Sequence, residues 1–383
     1  MMNSPRIKIL FTFLWLALLS LCTSKELLCW TTTYKIPDEK ALKDLDAYVT
    51  KETEEERFSG VILLAKSGIS FYKKAYGLAS RRFLVPNRVD TKFNIGSMNK
   101  MFTAVAIAQL VEDGKLSFND PIGIYLDKEW ITQDAGEKVK IHHLLTHTSG
   151  FGSFFNDKFF KASKELFRYV NDYKCLIVDE KIQFEPGSKF SYSNTGFMLL
   201  GAIVEKVTGQ DYFDYIRENI YLLANMHNSD CFEMDKPVSN LAIGYGKVKE
   251  KDGKEHWENN LYKHSIRGGP AGGGFSTAED LLNFSIAIRS NKLIKEEMLN
   301  ILITEVPNTG KGSMKLGYGF IIQNRGKMGR IFGHAGGFFG ISSTLDMYLN
   351  SSYTIVILSN CSGGLFAVYD KIQKILESAE ADV

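Results

Sequence analysis

Short β-like runs stand at both ends of the sequence and helical patterns lie between them, an arrangement that few folds accept. Residues 58–64, the turn Lys66-Ser67-Gly68 and residues 69–76 carry the pattern of a β-hairpin, which Gly77 ends. Residues 317–323, 330–334, 341–349 and 353–359 are again strand-like, and an amphipathic helix over 365–377 follows them. Helical patterns occupy 98–112, 164–170, 197–207 and 212–223, and a polar helical lead covers 38–57. A hairpin by itself buries too little, so the two ends are expected to pair. The expected fold is α/β (α+β), one antiparallel sheet built from both chain ends with flanking helices and an inserted helical lobe. The sheet lobe would comprise about 38–90 and 270–383, the helical lobe about 91–269, with a cleft between them. No repeat, linker or low-complexity tract divides 25–383 into independent domains.

The 383 residues, 44% of them hydrophobic, are enough for a substantial core. With 46 basic against 44 acidic residues the net charge is only +2, so no field of one sign draws the chain to nucleic acid. Arg6 and Lys8, the apolar residues 9–22, and Thr23-Ser24 have the layout of a secretory signal peptide over 1–24. That stretch is too short for a bilayer core of about 30 Å, and no other segment is long and apolar enough. The expected product is exported, periplasmic or secreted, without a membrane span. Lipid attachment at Cys22 is the alternative, against which the bulky Leu of Leu19-Ser20-Leu21 counts. Export would leave Cys29, Cys175, Cys231 and Cys361, which allow three pairings. They form no CxxC pair, so isolated structural thiols are expected rather than a zinc or redox site.

Two serines have a lysine three positions later. Ser70 and Lys73 lie in the hairpin, where odd spacing sends side chains to opposite faces. Ser97 and Lys100 instead open the run 101–110, apolar on nearly every face, which Gly114 and Lys115 close. On a helix the i, i+3 spacing puts both on one face, where a desolvated, neutral lysine can take the serine proton. An isolated pair of this kind would more often be an N-cap and a solvated lysine. Two further motifs change that balance. Tyr192 and Asn194, in Phe190-Ser191-Tyr192-Ser193-Asn194-Thr195-Gly196, precede a helical run; Tyr192 could carry a proton, and the Asn194 amide could hold either a substrate carbonyl or Lys100. Gly333-His334-Ala335-Gly336-Gly337 ends a strand, and its glycines let substrate approach a backbone edge suited to an oxyanion hole.

In order and spacing these motifs resemble the serine β-lactamase and penicillin-binding superfamily, with its S-x-x-K signature, second polar triplet and third K-T-G-type triplet. The resemblance covers nearly all of 25–383. It includes Phe58-Ser59-Gly60-Val61, Leu144-Leu145-Thr146-His147-Thr148-Ser149-Gly150, Glu185-Pro186-Gly187 and Gly272-Gly273-Gly274-Phe275-Ser276-Thr277. The Tyr-x-Asn triplet is similar to that of the class C β-lactamase, D,D-carboxypeptidase and esterase branch. This implies a β-lactamase/transpeptidase-like fold with Ser97 as acylated nucleophile and Lys100 and Tyr192 as proton-transfer partners. It implies Asn194 as a substrate-positioning amide, an oxyanion hole from the Ser97 and Gly337 N–H groups beside Gly336, and His334 in place of the K-T-G lysine. His147 is implied to belong to a structural loop near the cleft and, with His142 and His143, stays outside the catalytic set.

His334 replaces lysine and Ala335 replaces a threonine, which weakens the expectation of penicillin recognition. A His334 of ordinary pKa would be only partly charged, and Arg267 beside the Gly-rich loop is the alternative cation. The expected function is metal-free, cofactor-free hydrolysis of an ester, amide or D-amino-acid peptide, with a small-molecule or peptide acyl group as the partner. The rivals are a β-lactamase or D,D-carboxypeptidase acting on cell-wall peptides, and a non-catalytic penicillin-binding-type sensor. Loops 151–163 and 240–266 are expected to shape the acyl pocket.

Overall fold

The computed structural model describes residues 36–307, 309 and 314–381. The expected signal peptide, Cys22 and Cys29 lie outside the described residues. Seven strands form the main sheet: β1 (Gly60–Lys66), β2 (Ile69–Tyr76), β3 (Lys315–Leu316), β4 (Ile321–Asn324), β5 (Arg330–Phe338), β6 (Ile341–Tyr348) and β7 (Tyr353–Ser359). Their order is β2-β1-β7-β6-β5-β4-β3, with every pairing antiparallel. β1 lies against β7 from Gly60↔Ser359 to Lys66↔Tyr353, so the two ends of the chain do share one sheet.

Five longer helices pack around it: α1 (Glu39–Glu54), α2 (Asn99–Glu112), α3 (Asn194–Thr208), α4 (Ala278–Arg289) and α5 (Gly364–Ala381). Helix α1 starts where Asp38 accepts the Ala41 N–H at 2.7 Å, and it buries a stripe that includes Leu45 and Val49. Ile62, Leu64, Ile355 and Ile357 join Val368 and Ile372 of α5 in a core on one face of the sheet. Val61, Leu63, Val356 and Leu358 point to the opposite face, into a larger core shared with α2, α3 and α4. Burial on both faces explains why β1 and β7 are continuous apolar runs rather than alternating ones.

Several expected elements are corrected. Residues 164–170 are not one helix. A single 3₁₀ turn, Lys164–Leu166, ends where Phe167 turns into the core, and the Asp172 carboxylate accepts the Arg168 and Tyr169 N–H groups at 2.9 and 2.6 Å. Those donors are lost to a helix, and the next turn starts only at Val170. The helix expected over 212–223 is α-helical for Tyr212–Ile216 and then widens to a π turn, Arg217–Tyr221. Residues 317–323 are split by Gly319, whose φ of +78° breaks the strand before β4. β5 runs four residues beyond the expected stop, to Phe338. Helix α4, a further helix Glu296–Leu302, and the hairpin Tyr245–Lys249/Glu255–Asn259 were not anticipated. Cys175 is exposed, Cys231 and Cys361 are buried, and all three are free thiols.

Because Ile357 belongs to the core on the face opposite α2, shortening it should harm stability and spare the cleft. Ile357→Ala is expected to lower unfolding free energy by about 3 kcal/mol in urea denaturation, with the properties of the folded fraction kept.

Candidate active site

Ser97 sits in a 3₁₀ turn, Gly96–Met98, that leads directly into α2. Helix α2 is buried on almost every side, and its first residues are tied to the Gly-rich loop 268–274 rather than capped by a side chain. The Asn99 amide donates to Gly269 O at 3.0 Å and its Oδ1 accepts the Gly274 N–H at 3.2 Å. One turn further on, the Thr103 hydroxyl donates to Pro270 O at 2.8 Å. Two glycines let the turn lie against β5. Gly96 has φ +53°, and a Cβ there would stand 3.0 Å from Gly337 N; a Cβ on Gly336 would stand 1.9 Å from Ile95 O.

Lys100 is fully buried. Its Nζ lies 3.3 Å from Ser97 Oγ, 2.9 Å from Asn194 Oδ1, and within hydrogen-bonding reach of Ala271 O. No carboxylate among the described residues joins these contacts, and burial pushes the amine well below its ordinary value of 10.5. A neutral amine has two N–H groups and one lone pair. Asn194 and Ala271 accept the two N–H groups, which leaves the lone pair for the Ser97 hydroxyl. Asn194 is thereby spent on Lys100, and its Nδ2 donates to Ser153 Oγ at 3.1 Å. Of the two roles open to its amide, the structure shows the one toward Lys100.

Tyr192 directly precedes the Ser193 N-cap of α3 and lines the same cleft as Ser97, near enough to act on its electrostatics. The residue is 40% exposed, with one side of its ring open to the cleft. Its hydroxyl end is desolvated and is pushed up to about 12, mainly by burial and against the pull of Ser97. At neutral pH it holds its proton while Lys100 is disposed to accept one. Nothing in the sequence pattern connects His147 with this tyrosine. Its ring stacks on Tyr192 at 4.3 Å and 26°, its Nδ1 accepts the Ser193 N–H at 3.0 Å, and its carbonyl accepts the Ser191 N–H at 2.9 Å. It thus grips the residues on both sides of Tyr192. Burial, then Lys100 and His334, push His147 well below the usual imidazole range, which keeps Nδ1 free to accept.

On the strand side, His334 is buried and is pushed down to about 3, first by burial and then by Lys100. Its Nδ1–H donates to Ala335 O at 2.5 Å. The partly charged imidazole expected there is therefore corrected to a neutral one. Arg267 is also removed as a cation for the cleft: its Nε donates to Cys231 O at 3.0 Å and its guanidinium lies 3.4 Å from the Phe213 ring centre. Ser70 lies outside the cleft, and Lys73 is paired with Glu279 at 2.6 Å.

The cleft holds roughly 810 Å³ of space, partly open to solvent, and Ser97, Tyr192, Asn194 and Gly337 face it. Lys100, His334 and Gly336 lie behind that surface. Phe154, Phe155 and Phe338 line it too, as does the wall Gly268–Gly273; the aromatic residues were not singled out because nothing in a Phe-rich loop fixes where it folds. Glu180 ties that loop to α3, accepting the Gly152 N–H with one oxygen and the Thr195 hydroxyl at 2.8 Å with the other.

A serine beside a buried lysine, at the edge of an antiparallel sheet joined from both chain ends, defines the class of serine acyl-transferases and hydrolases with a β-lactamase fold. Residues 45–380 match the family model described as Beta-lactamase, and the chain belongs to that family. It is 28% identical over 318 residues to penicillin-binding protein 4* of Bacillus subtilis, covering 80% of this chain and 69% of that protein. Protein flp of Staphylococcus aureus is 29% identical over 205 residues, but the match spans only 41% of that protein's length. Among solved structures, a penicillin-binding protein from Bacillus halodurans superposes with a TM-score of 0.77 at 33% identity, covering 86% of this chain and 98% of that one. A D-stereospecific amidohydrolase from Streptomyces, at 21% identity and a TM-score of 0.71 over 91% of this chain and 100% of that one, shares the fold.

If the uncharged amine is the competent form, kcat/KM should be flat near neutrality and fall on the acid side as Lys100 takes up a proton. The midpoint of that fall should lie well below 10.5. A pH–rate profile on a neutral ester checks this; activity that emerges only as pH nears that value would contradict it.

Proposed function

We propose that this chain is an exported serine hydrolase that forms an acyl-enzyme at Ser97 on neutral ester or amide substrates. The observation that carries the reading is the buried Lys100 amine, 3.3 Å from Ser97 Oγ and with no carboxylate among its hydrogen-bond partners in the described residues. Lys100 takes the hydroxyl proton as Ser97 Oγ attacks the carbonyl carbon, and the N–H groups of Ser97 and Gly337 receive the developing oxyanion. Tyr192 relays the proton to the leaving group, whose bond to carbon breaks to leave the Ser97 ester. Water, deprotonated along the same route, then attacks that ester and frees Ser97. His334 supports the strand edge as a neutral group and supplies no charge. Export rests on the leader-like residues 1–24.

The names of the relatives favour a second reading, action on penicillins or cell-wall peptides. Both substrates present a carboxylate, and neither His334 nor Arg267 offers it a cation. The neutral-substrate reading is therefore preferred.

Ser97→Ala should cut ester turnover by about a thousandfold or more while circular dichroism and the unfolding midpoint stay close to the parent. Ser70→Ala, by contrast, should retain nearly full activity. Equal losses at both serines, or turnover by Ser97→Ala close to the parent rate, would contradict the assignment. A fluorophosphonate adduct mapped to Ser97 by mass spectrometry gives the same answer without turnover.

A further inference from the structure

We infer that the acyl group accepted here is aromatic and carries neither a carboxylate nor an ammonium next to the scissile carbonyl, an inference that rests on the acyl-enzyme reading above. Among the described residues that line the cleft there is no Asp, Glu, Lys or Arg. Each ionisable group nearby is neutral or already engaged. Lys100 is sealed behind Ser97, His334 is neutral, and burial holds the cleft residue His264 below the usual imidazole range. Glu180 has both oxygens occupied and is not part of the lining. An anion or a cation bound beside Ser97 would lose water and find no counter-charge.

The apolar side of the cleft is built for a ring. Phe155, from loop 151–163, stacks on Phe338 at the end of β5, with centres 5.6 Å apart and planes at 29°. Both are half-buried, so each keeps apolar surface toward the space in front of Ser97. Phe154 lies behind them, buried and edge-on to Tyr173 at 4.9 Å. Gly268, Gly269, Ala271, Gly272 and Gly273 line the same cleft and bring no charged or bulky side chain to it. A substrate ring placed there gains aromatic contacts that a short alkyl acyl group lacks.

The test compares 4-nitrophenyl phenylacetate with 4-nitrophenyl acetate at pH 7, and N-acetyl-D- and L-phenylalanine methyl esters with the same esters bearing a free ammonium. The expected kcat/KM is about tenfold higher for phenylacetate than for acetate, and about tenfold or more higher for the better N-acetyl ester than for its ammonium counterpart. Benzylpenicillin, which would acylate Ser97 through its β-lactam carbonyl with the ring C–N bond breaking and its carboxylate retained beside the freed nitrogen, should acylate more slowly than 4-nitrophenyl phenylacetate. In Phe155→Ala, and separately in Phe338→Leu, the phenylacetate-to-acetate ratio should fall several-fold. A ratio near one in the parent, preference for the ammonium ester, or turnover of neither phenylalanine ester beside good turnover of phenylacetate would overturn the inference. Labelling of Ser97 by a fluorophosphonate is run alongside. Labelling with the wrong preferences overturns only the substrate class, whereas no labelling overturns the acyl-enzyme reading itself.

Discussion

An amine sealed from water with no carboxylate beside it is the constraint on which the rest of this structure depends. In the unfolded chain Lys100 is charged at neutral pH; in the folded chain burial depresses its affinity for a proton. Between the depressed folded-state value and the unfolded value of 10.5, folding must therefore expel that proton, so this group makes the folded state less stable as pH falls through that window. The surrounding fold offsets the cost. Helix α2 is packed on nearly every face, and the sheet behind it is buried on both sides.

The same constraint explains the layout around Ser97. An amine that stays neutral needs two acceptors for its N–H groups, and these come from distant parts of the chain, Asn194 at the start of α3 and Ala271 in the Gly-rich loop. Asn99 and Thr103 fix that loop on α2, Gly96 and Gly336 let the Ser97 turn touch β5, and His147 holds the segment that carries Tyr192. Each contact joins elements far apart in sequence, so the geometry exists only once the chain has folded.

That distribution also sets how much could be read beforehand. Strand runs 58–64 and 353–359, the buried helix behind Ser97, and the motifs around Tyr192 and His334 are local patterns, and local patterns survive in sequence. The non-helical course of 164–170 was hidden because Asp172 captures the N–H groups of Arg168 and Tyr169, a competition invisible to periodicity. Backbone partners are hidden altogether: nothing about an alanine at 271 announces a carbonyl aimed at Lys100. The charge state of His334 was misjudged for a related reason, since an imidazole's ordinary pKa holds only until its burial is known.

Within the Beta-lactamase family, then, this chain sets Ser97 beside a buried Lys100 at a cleft whose lining, among the described residues, holds no Asp, Glu, Lys or Arg. The account stands or falls on the protonation state of Lys100. The most direct measurement is an NMR pH titration of protein labelled with ¹³Cε-lysine, with the Lys100 resonance assigned by comparison with Lys100→Arg. At pH 7 the account predicts one lysine signal with the shift of a neutral amine, which takes up a proton only in more acidic solution. A Lys100 signal that is charged at pH 7 and titrates near 10.5 would contradict it.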